Sequence, residues 1–179
     1  MYDTTVKTLC LNMMVKNEAH IIVDTLRNLT DAISFDYWVI SDTGSTDNTT
    51  QLIQDFFNEK KIQGEFFVDV WKNYSFNRTT SIAHALHKTD YVIVFHPDDI
   101  IEHKHKFELP SPITDKLYYL KLRDSHVSFE RCLLLNNHMT WSFKAELHDF
   151  SEHKKINDSS RSLQKRVESI TTIKGEIPL

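Results

Sequence analysis

Glycine, cysteine and basic charge are scarce in this sequence, and each shortage excludes a class of protein. Only three glycines occur among 179 residues. Neither the GxGxxG fingerprint of nicotinamide dinucleotide sites nor the GxxxxGK[ST] loop of P-loop NTPases is present. Two cysteines, Cys10 and Cys132, are too few for a disulfide framework. A formal net charge of −4 argues against a nucleic-acid-binding face, so we expect no nucleic-acid partner.

Long apolar runs are also missing. No run reaches the roughly 18 residues expected of a membrane span. The first ten residues, MYDTTVKTLC, lack the basic region and the apolar core of a signal peptide. We therefore expect a soluble, cytoplasmic protein with no transmembrane segment. The length and a hydrophobic fraction of 40% suit a single domain over residues 1–179.

Strand and helix patterns alternate along the first hundred residues. Apolar runs predict parallel strands at 9–15, 37–41, 65–70 and 91–95. Between them, apolar periodicity predicts helices over 19–33, 47–58 and 76–87. In the third helix, Phe76, Ala83 and Leu86 are predicted to form the inner face. This alternation is typical of an α/β fold, a mostly parallel sheet flanked by helices on both faces.

The pattern changes after Pro110. Short apolar segments at 117–122, 131–135 and 140–143 predict strands without long helices between them. We expect them to form a small antiparallel extension in the C-terminal third. A terminal helix is expected over 159–170.

Polar loops follow the first, second and fourth predicted strands, at 16–18, 42–46 and 97–100. In an open α/β sheet, ligands bind at the edge where parallel strands end. We therefore expect the three loops to meet in one cleft. Asp42 directly follows its strand and is predicted to accept a hydrogen bond from a base imide or a ribose hydroxyl. Gly44 permits a left-handed turn, and for Ser45 and Asp47 a structural turn with helix capping is the favoured interpretation.

Two adjacent carboxylates, Asp98 and Asp99, come directly after the fourth strand. Like charges side by side repel, and they are tolerated when a cation lies nearby. The simpler alternative is a capped turn, helped by Pro97. Together with Asp42 at the same sheet edge, the pair predicts a divalent metal beside a nucleotide.

Four motifs occur in a specific order, namely LNMMVKNE at 11–18, WVISDTGSTDNT at 38–49, NYSFNRTTSIAHA at 73–85 and DYVIVFHPDD at 90–99. In these motifs the chain resembles the inverting family-2 glycosyltransferases of GT-A fold, closest to the branch with MIVKNE, VDTGSTDGT, F-x-x-ARN and LDADE. The resemblance covers about residues 8–100, with a weaker echo at 141–149. It implies a Rossmann-like GT-A domain whose residues 1–100 bind the nucleotide sugar, while residues 101–179 close the metal and acceptor side.

The resemblance implies a donor site that includes Asn17, Glu18, Asp42, Arg78 and Asp98. Asn17 and Glu18 would border the nucleotide, and Asp42 would receive uracil or another nucleobase. Arg78 would reach the ribose or the pyrophosphate, and a surface ion pair is its alternative role. Asp98 matches the last carboxylate of the family's D-x-D motif, which coordinates Mn²⁺ or Mg²⁺ at the diphosphate.

The same resemblance implies the remaining site residues. Asp98, Asp99 and His148 would be metal ligands, Asp149 the catalytic base and Glu146 the fallback base. The chain departs from the family pattern at two positions. His96 replaces the first D-x-D carboxylate, and Thr79 replaces the asparagine of ARN.

The implied function is metal-dependent, inverting transfer of a sugar from a nucleoside-diphosphate donor, by family analogy a UDP-sugar. The acceptor hydroxyl belongs to a glycan, a protein or a small molecule. One alternative is a degenerate, non-catalytic nucleotide-sugar-binding module, or one domain of a larger transferase. A nucleotidyltransferase is another alternative. It would require a glycine-rich, basic loop after the first strand, and the segment MVKNEA contains no glycine and a single lysine. A zinc site of His96, His103 and His105 is a further alternative with loose spacing.

Overall fold

A computed structural model shows the architecture of the chain and describes residues 6–101, 109, 113, 115–124, 127–143, 151–153, 166–167 and 173–175. The first half contains β1 (Leu9–Val15), α1 (Ile22–Ala32), β2 (Tyr37–Asp42), α2 (Thr49–Lys60), β3 (Gly64–Val68), α3 (Tyr74–Ala85) and β4 (Tyr91–Phe95). There follow β5 (Asp99–Ile101), β6 (Leu117–Asp124), β7 (Val127–Asn136), β8 (Trp141–Phe143), β9 (Ser151–His153), β10 (Arg166–Val167) and β11 (Ile173–Gly175).

Seven strands form the main sheet, in the order β10-β6-β7-β4-β1-β2-β3. Strands β4, β1, β2 and β3 are parallel to one another, whereas β7 runs antiparallel to both β4 and β6. Two further sheets of two antiparallel strands pair β5 with β11 and β8 with β9. The predicted α/β class, with a parallel first half and an antiparallel extension, is confirmed.

The handedness of the crossovers determines which face of the sheet each helix covers. The chain moves from β1 to β2 to β3 in one direction, so right-handed crossovers place α1 and α2 on the same face, where they contact each other. Helix α3 leads back from β3 to β4 on the far side of β1, so it lies on the opposite face and packs on β1 and β2. This reversal makes the carboxyl ends of β1 and β4 a topological switch point, the usual ligand position in such sheets.

Apolar packing follows the predicted periodicity in α1. Its stripe of Ile22, Leu26, Leu29 and Ile33 is at most 1% exposed. Burying a side chain of this size contributes about 1.5–3 kcal/mol relative to leaving it exposed, so this stripe secures α1 against the sheet. No helix in the described part of the chain is both long enough and apolar enough to cross a membrane.

The predicted inner face of α3 is wrong. Phe76 is 43% exposed and Ala83 is also exposed. The buried residues of this helix are instead Asn77, Arg78, Ser81, Ile82 and Ala85. Three of the five are polar, so the apolar periodicity of the sequence could not reveal this face.

A polar contact inside the core explains the orientation of α3. Asn12 is the one polar residue of β1, and it is fully buried. Its side-chain amide donates to the Ser81 carbonyl at 2.9 Å and to the Val39 carbonyl at 3.3 Å, and its oxygen lies 3.3 Å from the Ser81 hydroxyl. Buried polar groups are nearly always paired in this way, and here the pairing turns the Ser81 side of α3 toward β1.

Two element boundaries differ from the prediction for identifiable reasons. Helix α3 begins two residues early, at Tyr74, because the Asn73 side chain caps it by accepting from the Phe76 amide at 2.8 Å. The prediction of a terminal helix over 159–170 is wrong at residues 166–167, because these two residues form β10 and pair with β6. The other residues of that range lie outside the described part of the chain.

Candidate active site

The loops after β1 and β2 are fastened to each other. The Asn17 amide donates to the Ser45 hydroxyl at 2.9 Å, and the Asn17 side-chain oxygen accepts from the Thr46 amide at 2.7 Å. The Glu18 amide donates to the Thr49 hydroxyl at 2.8 Å. Asn17 has a left-handed backbone with φ of 58°, which asparagine tolerates better than most residues. Its polar groups therefore position the two loops, and its contact with a donor stays a prediction.

Asp42 was predicted to follow the second strand directly and is instead the last residue of β2, beside Val15, the last residue of β1. Its side chain is engaged within its own loop. One carboxylate oxygen accepts from the Ser45 amide at 3.0 Å and from the Ser45 hydroxyl at 2.7 Å, and the other lies 3.4 Å from the Thr50 hydroxyl. Gly44, at φ of 105°, permits this tight turn. Asp42 thus closes a turn at the cleft edge, and nucleobase contact stays a prediction.

The loop after β4 brings one imidazole and two carboxylates together. One ligand atom from each of His96, Asp98 and Asp99 lies within 4.8 Å of the others. Two backbone contacts close the loop, since the His96 amide donates to the Asp99 carboxylate at 2.8 Å and the Asp99 amide donates to the His96 carbonyl at 3.1 Å. Atoms that share one divalent ion lie at most about 4–5 Å apart, twice the metal–oxygen distance. Carboxylates suit Mg²⁺ and Mn²⁺ while an imidazole favours transition metals, so the set fits Mn²⁺ better than Mg²⁺.

Helix α1 holds this loop against the sheet. The Thr25 hydroxyl donates to the Pro97 carbonyl at 2.5 Å. The Asn28 side chain accepts from the Ile101 amide at 2.7 Å and donates to the Ile101 carbonyl at 3.0 Å. These contacts fix the backbone on both sides of Asp98 and Asp99, which is the support that a metal-binding loop requires.

Glu18 lies in the same cleft as the His96-Asp98-Asp99 cluster. Burial raises the pKa of the Glu18 carboxyl, and the charges of Asp98 and Asp47 raise it further, whereas His20 acts in the opposite direction. Glu18 follows β1 and Asp98 follows β4, and the effect of the Asp98 charge on the pKa of Glu18 places the two loops on the same side of the sheet. A cation between these carboxylates would relieve their repulsion.

Arg78 approaches the cleft from α3. Its side chain is 1% exposed, and its Nη2 atom donates to the Tyr74 hydroxyl at 3.3 Å. That hydroxyl lies 3.0 Å from His96 Nε2, so two hydrogen bonds in series connect the guanidinium to the cluster. Among the described residues, the Nε and Nη1 atoms of Arg78 have no partner. The alternative of a surface ion pair is therefore wrong, and a buried guanidinium with unused donors is suited to an anion.

Tyr74 is a site residue that the sequence analysis did not identify. It lies four residues before Arg78 on α3, and residues at this spacing face the same side of a helix. The spacing was visible in the sequence. The link to His96 was not, because it joins α3 to the loop after β4.

Thr79, which replaces the asparagine of the family motif, has a structural contact in this chain. Its hydroxyl donates to the Ser75 carbonyl at 2.7 Å and accepts from the Phe143 amide at 2.9 Å. Thr79 thereby joins β8 to α3.

Several predicted site residues lie outside the described part of the chain. They are the predicted bases Glu146 and Asp149, the predicted metal ligand His148, and His103 and His105 of the alternative zinc site. Their roles stay predictions.

Comparison with known proteins identifies the family. The model of glycosyl transferase family 2 matches residues 10–117. The mannosyltransferase PcManGT from Pyrobaculum calidifontis, in complex with GDP-Man and Mn²⁺, is similar with a TM-score of 0.53 and 14% identity, over 68% of this chain and 36% of that one. S. aureus TarS 1–349, in complex with UDP-GlcNAc, gives a TM-score of 0.49 and 15% identity, over 65% of this chain and 35% of that one.

This chain thus spans about a third of the length of both solved structures. No curated protein matches it. At such low identity the likeness to PcManGT shows the fold alone. Because the family model covers more than half of the 179 residues, the chain belongs to glycosyl transferase family 2.

Proposed function

We propose that this chain binds the donor in a metal-dependent glycosyltransferase that moves a sugar from a nucleoside diphosphate to an acceptor hydroxyl. Membership of the family supports this proposal, as do the GDP-Man and Mn²⁺ bound to the similar mannosyltransferase. The observation that carries it is the connection through Tyr74 between buried Arg78 and the His96-Asp98-Asp99 cluster.

A diphosphate leaving group explains why a guanidinium and a carboxylate cluster would lie side by side. Negative charge grows on the diphosphate as the bond to the sugar breaks, and donors aimed at that charge lower the barrier. The planar guanidinium of Arg78 suits phosphate oxygens, and its Nε and Nη1 donors are available among the described residues. His96, Asp98 and Asp99 would hold a divalent cation, which when bound neutralises further charge on the diphosphate.

The finer assignments follow the family resemblance. Asn17, Glu18 and Asp42 would line the nucleotide side, and a UDP-sugar is the proposed donor, with glucose and N-acetylglucosamine equally compatible. Inversion requires a single displacement in which a carboxylate takes the proton of the acceptor hydroxyl. Asp149 is the proposed base, with Glu146 as its substitute.

Nucleotide binding tests the proposal directly. Thermal unfolding of the chain would be followed with UDP and GDP, each with and without MnCl₂. We expect stabilisation by one nucleotide that depends on Mn²⁺ and disappears in Asp98→Asn. Asp31→Asn is the matched control, because Asp31 is an exposed carboxylate in the last turn of α1, at the end of the helix away from the loop after β1. Stabilisation that persists in Asp98→Asn, or no response to either nucleotide, would refute the proposal.

A non-catalytic binding module is the second candidate, and His96 in place of the first D-x-D carboxylate favours it. Turnover separates the two functions. A transferase slowly hydrolyses its nucleotide sugar when no acceptor is present, so nucleotide release from UDP-sugars with MnCl₂ would support catalysis. Metal-dependent binding without any release would support the module.

A further inference from the structure

Two histidines meet at the edge of the sheet opposite the candidate active site. His87 follows α3 and His138 follows β7. Strands β4 and β7 are antiparallel, with Tyr91 opposite Asn136, so the loop before β4 lies beside the loop after β7. The candidate active site follows Phe95, at the other end of β4. We propose that His87 and His138, here called the histidine pair, bind a divalent transition-metal ion such as Zn²⁺ at a second site.

The spacing of the two rings is that of ligands sharing one ion. Their Nδ1 atoms are 3.5 Å apart, and the ring centroids are 5.7 Å apart with 34° between the planes. A direct hydrogen bond between two nitrogens is usually shorter, about 3.0 Å. Two nitrogens bound to one tetrahedral zinc, each at about 2.0–2.1 Å, lie about 3.4 Å apart. The observed separation therefore fits a shared ion better than a direct hydrogen bond.

Buried hydrogen bonds hold both loops in place around the histidine pair. Asn137 is 1% exposed, and its side-chain amide donates to the Ala85 carbonyl at 2.7 Å. Its backbone carbonyl accepts from the His87 amide at 3.0 Å, and its backbone amide donates to the Asp90 carbonyl at 2.8 Å. His87 has a left-handed backbone with φ of 64°, a conformation that persists where surrounding contacts enforce it. The backbone positions that carry the two imidazoles are thus fixed by the fold.

The Asp90 carboxylate lies on the Nε2 side of the His138 ring. Its Oδ1 atom lies 3.6 Å from His138 Nε2, and its Oδ2 atom accepts from the amide and the hydroxyl of Thr8, both at 2.9 Å. A carboxylate on the Nε2 side of the ring favours a proton on Nε2, which leaves the lone pair on Nδ1. Metal-binding histidines commonly have such a carboxylate behind them.

The ligand chemistry separates this site from the His96-Asp98-Asp99 cluster. Two imidazoles favour Zn²⁺, Cu²⁺ or Ni²⁺ over Mn²⁺ and Mg²⁺. The neighbouring Lys88 forms an ion pair with Glu65, which offsets its positive charge. The His138 side chain is 56% exposed, so an ion can reach the site from solvent and complete its coordination with water.

Calorimetric titration of the full chain with ZnCl₂ tests the proposal. All proteins would carry Asp98→Asn, which weakens the active-site cluster as a zinc site. His87→Asn and His138→Gln are the test variants, because asparagine tolerates the left-handed backbone at position 87. His20→Gln is the matched control, since His20 is an exposed histidine on the loop after β1. Melting curves without metal check that each variant is folded.

We expect each test variant to bind one zinc ion fewer per chain than its parent, and the double variant to lose no more than either single variant. His20→Gln should retain the full stoichiometry. Unchanged stoichiometry in both test variants, or losses that add in the double variant, would overturn the proposal. If a variant does not fold, long-range ¹H–¹⁵N spectra of the parent provide the test. Zinc should then shift the Nδ1 signals of both rings together, and signals that do not move would refute the site.

Discussion

The substitution Arg78→Met tests whether the buried guanidinium lowers the stability of the free protein and serves to bind a ligand. Methionine keeps a long, unbranched side chain in the space that Arg78 fills. It removes the two nitrogen atoms that have no partner among the described residues. If the guanidinium binds a ligand, the ligand-free protein should become more stable when the guanidinium is removed.

The size of the gain can be worked from the contacts of Arg78. Each buried donor without a partner costs about 1–3 kcal/mol. The variant loses the hydrogen bond to Tyr74, whose length of 3.3 Å is near the upper limit and whose loss costs about 1.5–3 kcal/mol because the donor is charged. It also loses the contact of the guanidinium with the face of the Tyr74 ring, 5.6 Å from the ring centroid. Replacing buried charged groups with apolar ones of similar volume is often stabilising by about 1–4 kcal/mol. We expect a gain in the free energy of unfolding in this range, which raises Tm by about 2–16 °C for a chain of this size.

The assay is thermal unfolding followed by circular dichroism, with and without UDP and MnCl₂. The wild-type chain should gain about 2.7 kcal/mol from a ligand present at 100 times its Kd, whereas Arg78→Met should gain almost nothing. Asn77→Ala is the matched control, because Asn77 is fully buried but accepts from the Lys72 amide at 2.8 Å and donates to the Val70 carbonyl at 3.0 Å. The free energy of unfolding of Asn77→Ala should be lower than that of the wild type by about 1–3 kcal/mol. If Arg78→Met is destabilised like the control, the guanidinium is structural and the reasoning fails.

Three further substitutions have defined outcomes. Gly64→Ala should cost about 1–3 kcal/mol in denaturant unfolding, because the new Cβ would lie 2.3 Å from the Trp38 ring; wild-type stability would contradict this packing. Glu18→Gln should unfold at the same temperature as wild type below pH 4.5 and at a higher one as pH rises, because the raised pKa of Glu18 makes its ionisation unfavourable in the folded state. A difference of the opposite sign would contradict this. Thr79→Val should speed amide exchange at Phe143, which loses its acceptor, and unchanged exchange would count against that contact.

The sequence predicted the elements of the first half well because their burial is apolar and periodic. Strands β1 and β4 have the predicted limits, and the stripe of α1 is buried as expected. The prediction failed on α3, where the buried side is largely polar. Ser81 is satisfied by Asn12, 69 residues away, and Asn77 by the backbone of Val70 in the preceding loop. A pattern of apolar residues contains no information on such polar partners.

The candidate site was also predicted only in part. Parallel strands end at the same edge of a sheet, so the sequence alone could place Asp42 and Asp98 on one side of the molecule. Which of their atoms remain available for a ligand depends on hydrogen bonds between loops. The Ser45 contacts of Asp42 illustrate this dependence.

The order of strands, helices and polar loops, together with the family motifs, was determined by the sequence itself, because hydrophobic periodicity and turn chemistry are local. The tertiary structure alone decided that Arg78 is buried beside Tyr74 and His96, and that His87 meets His138. Both pairings join segments that are brought together by the reversal of the chain at α3 and by the antiparallel pairing of β4 with β7. Such contacts depend on the packing of whole elements, which no short stretch of sequence specifies.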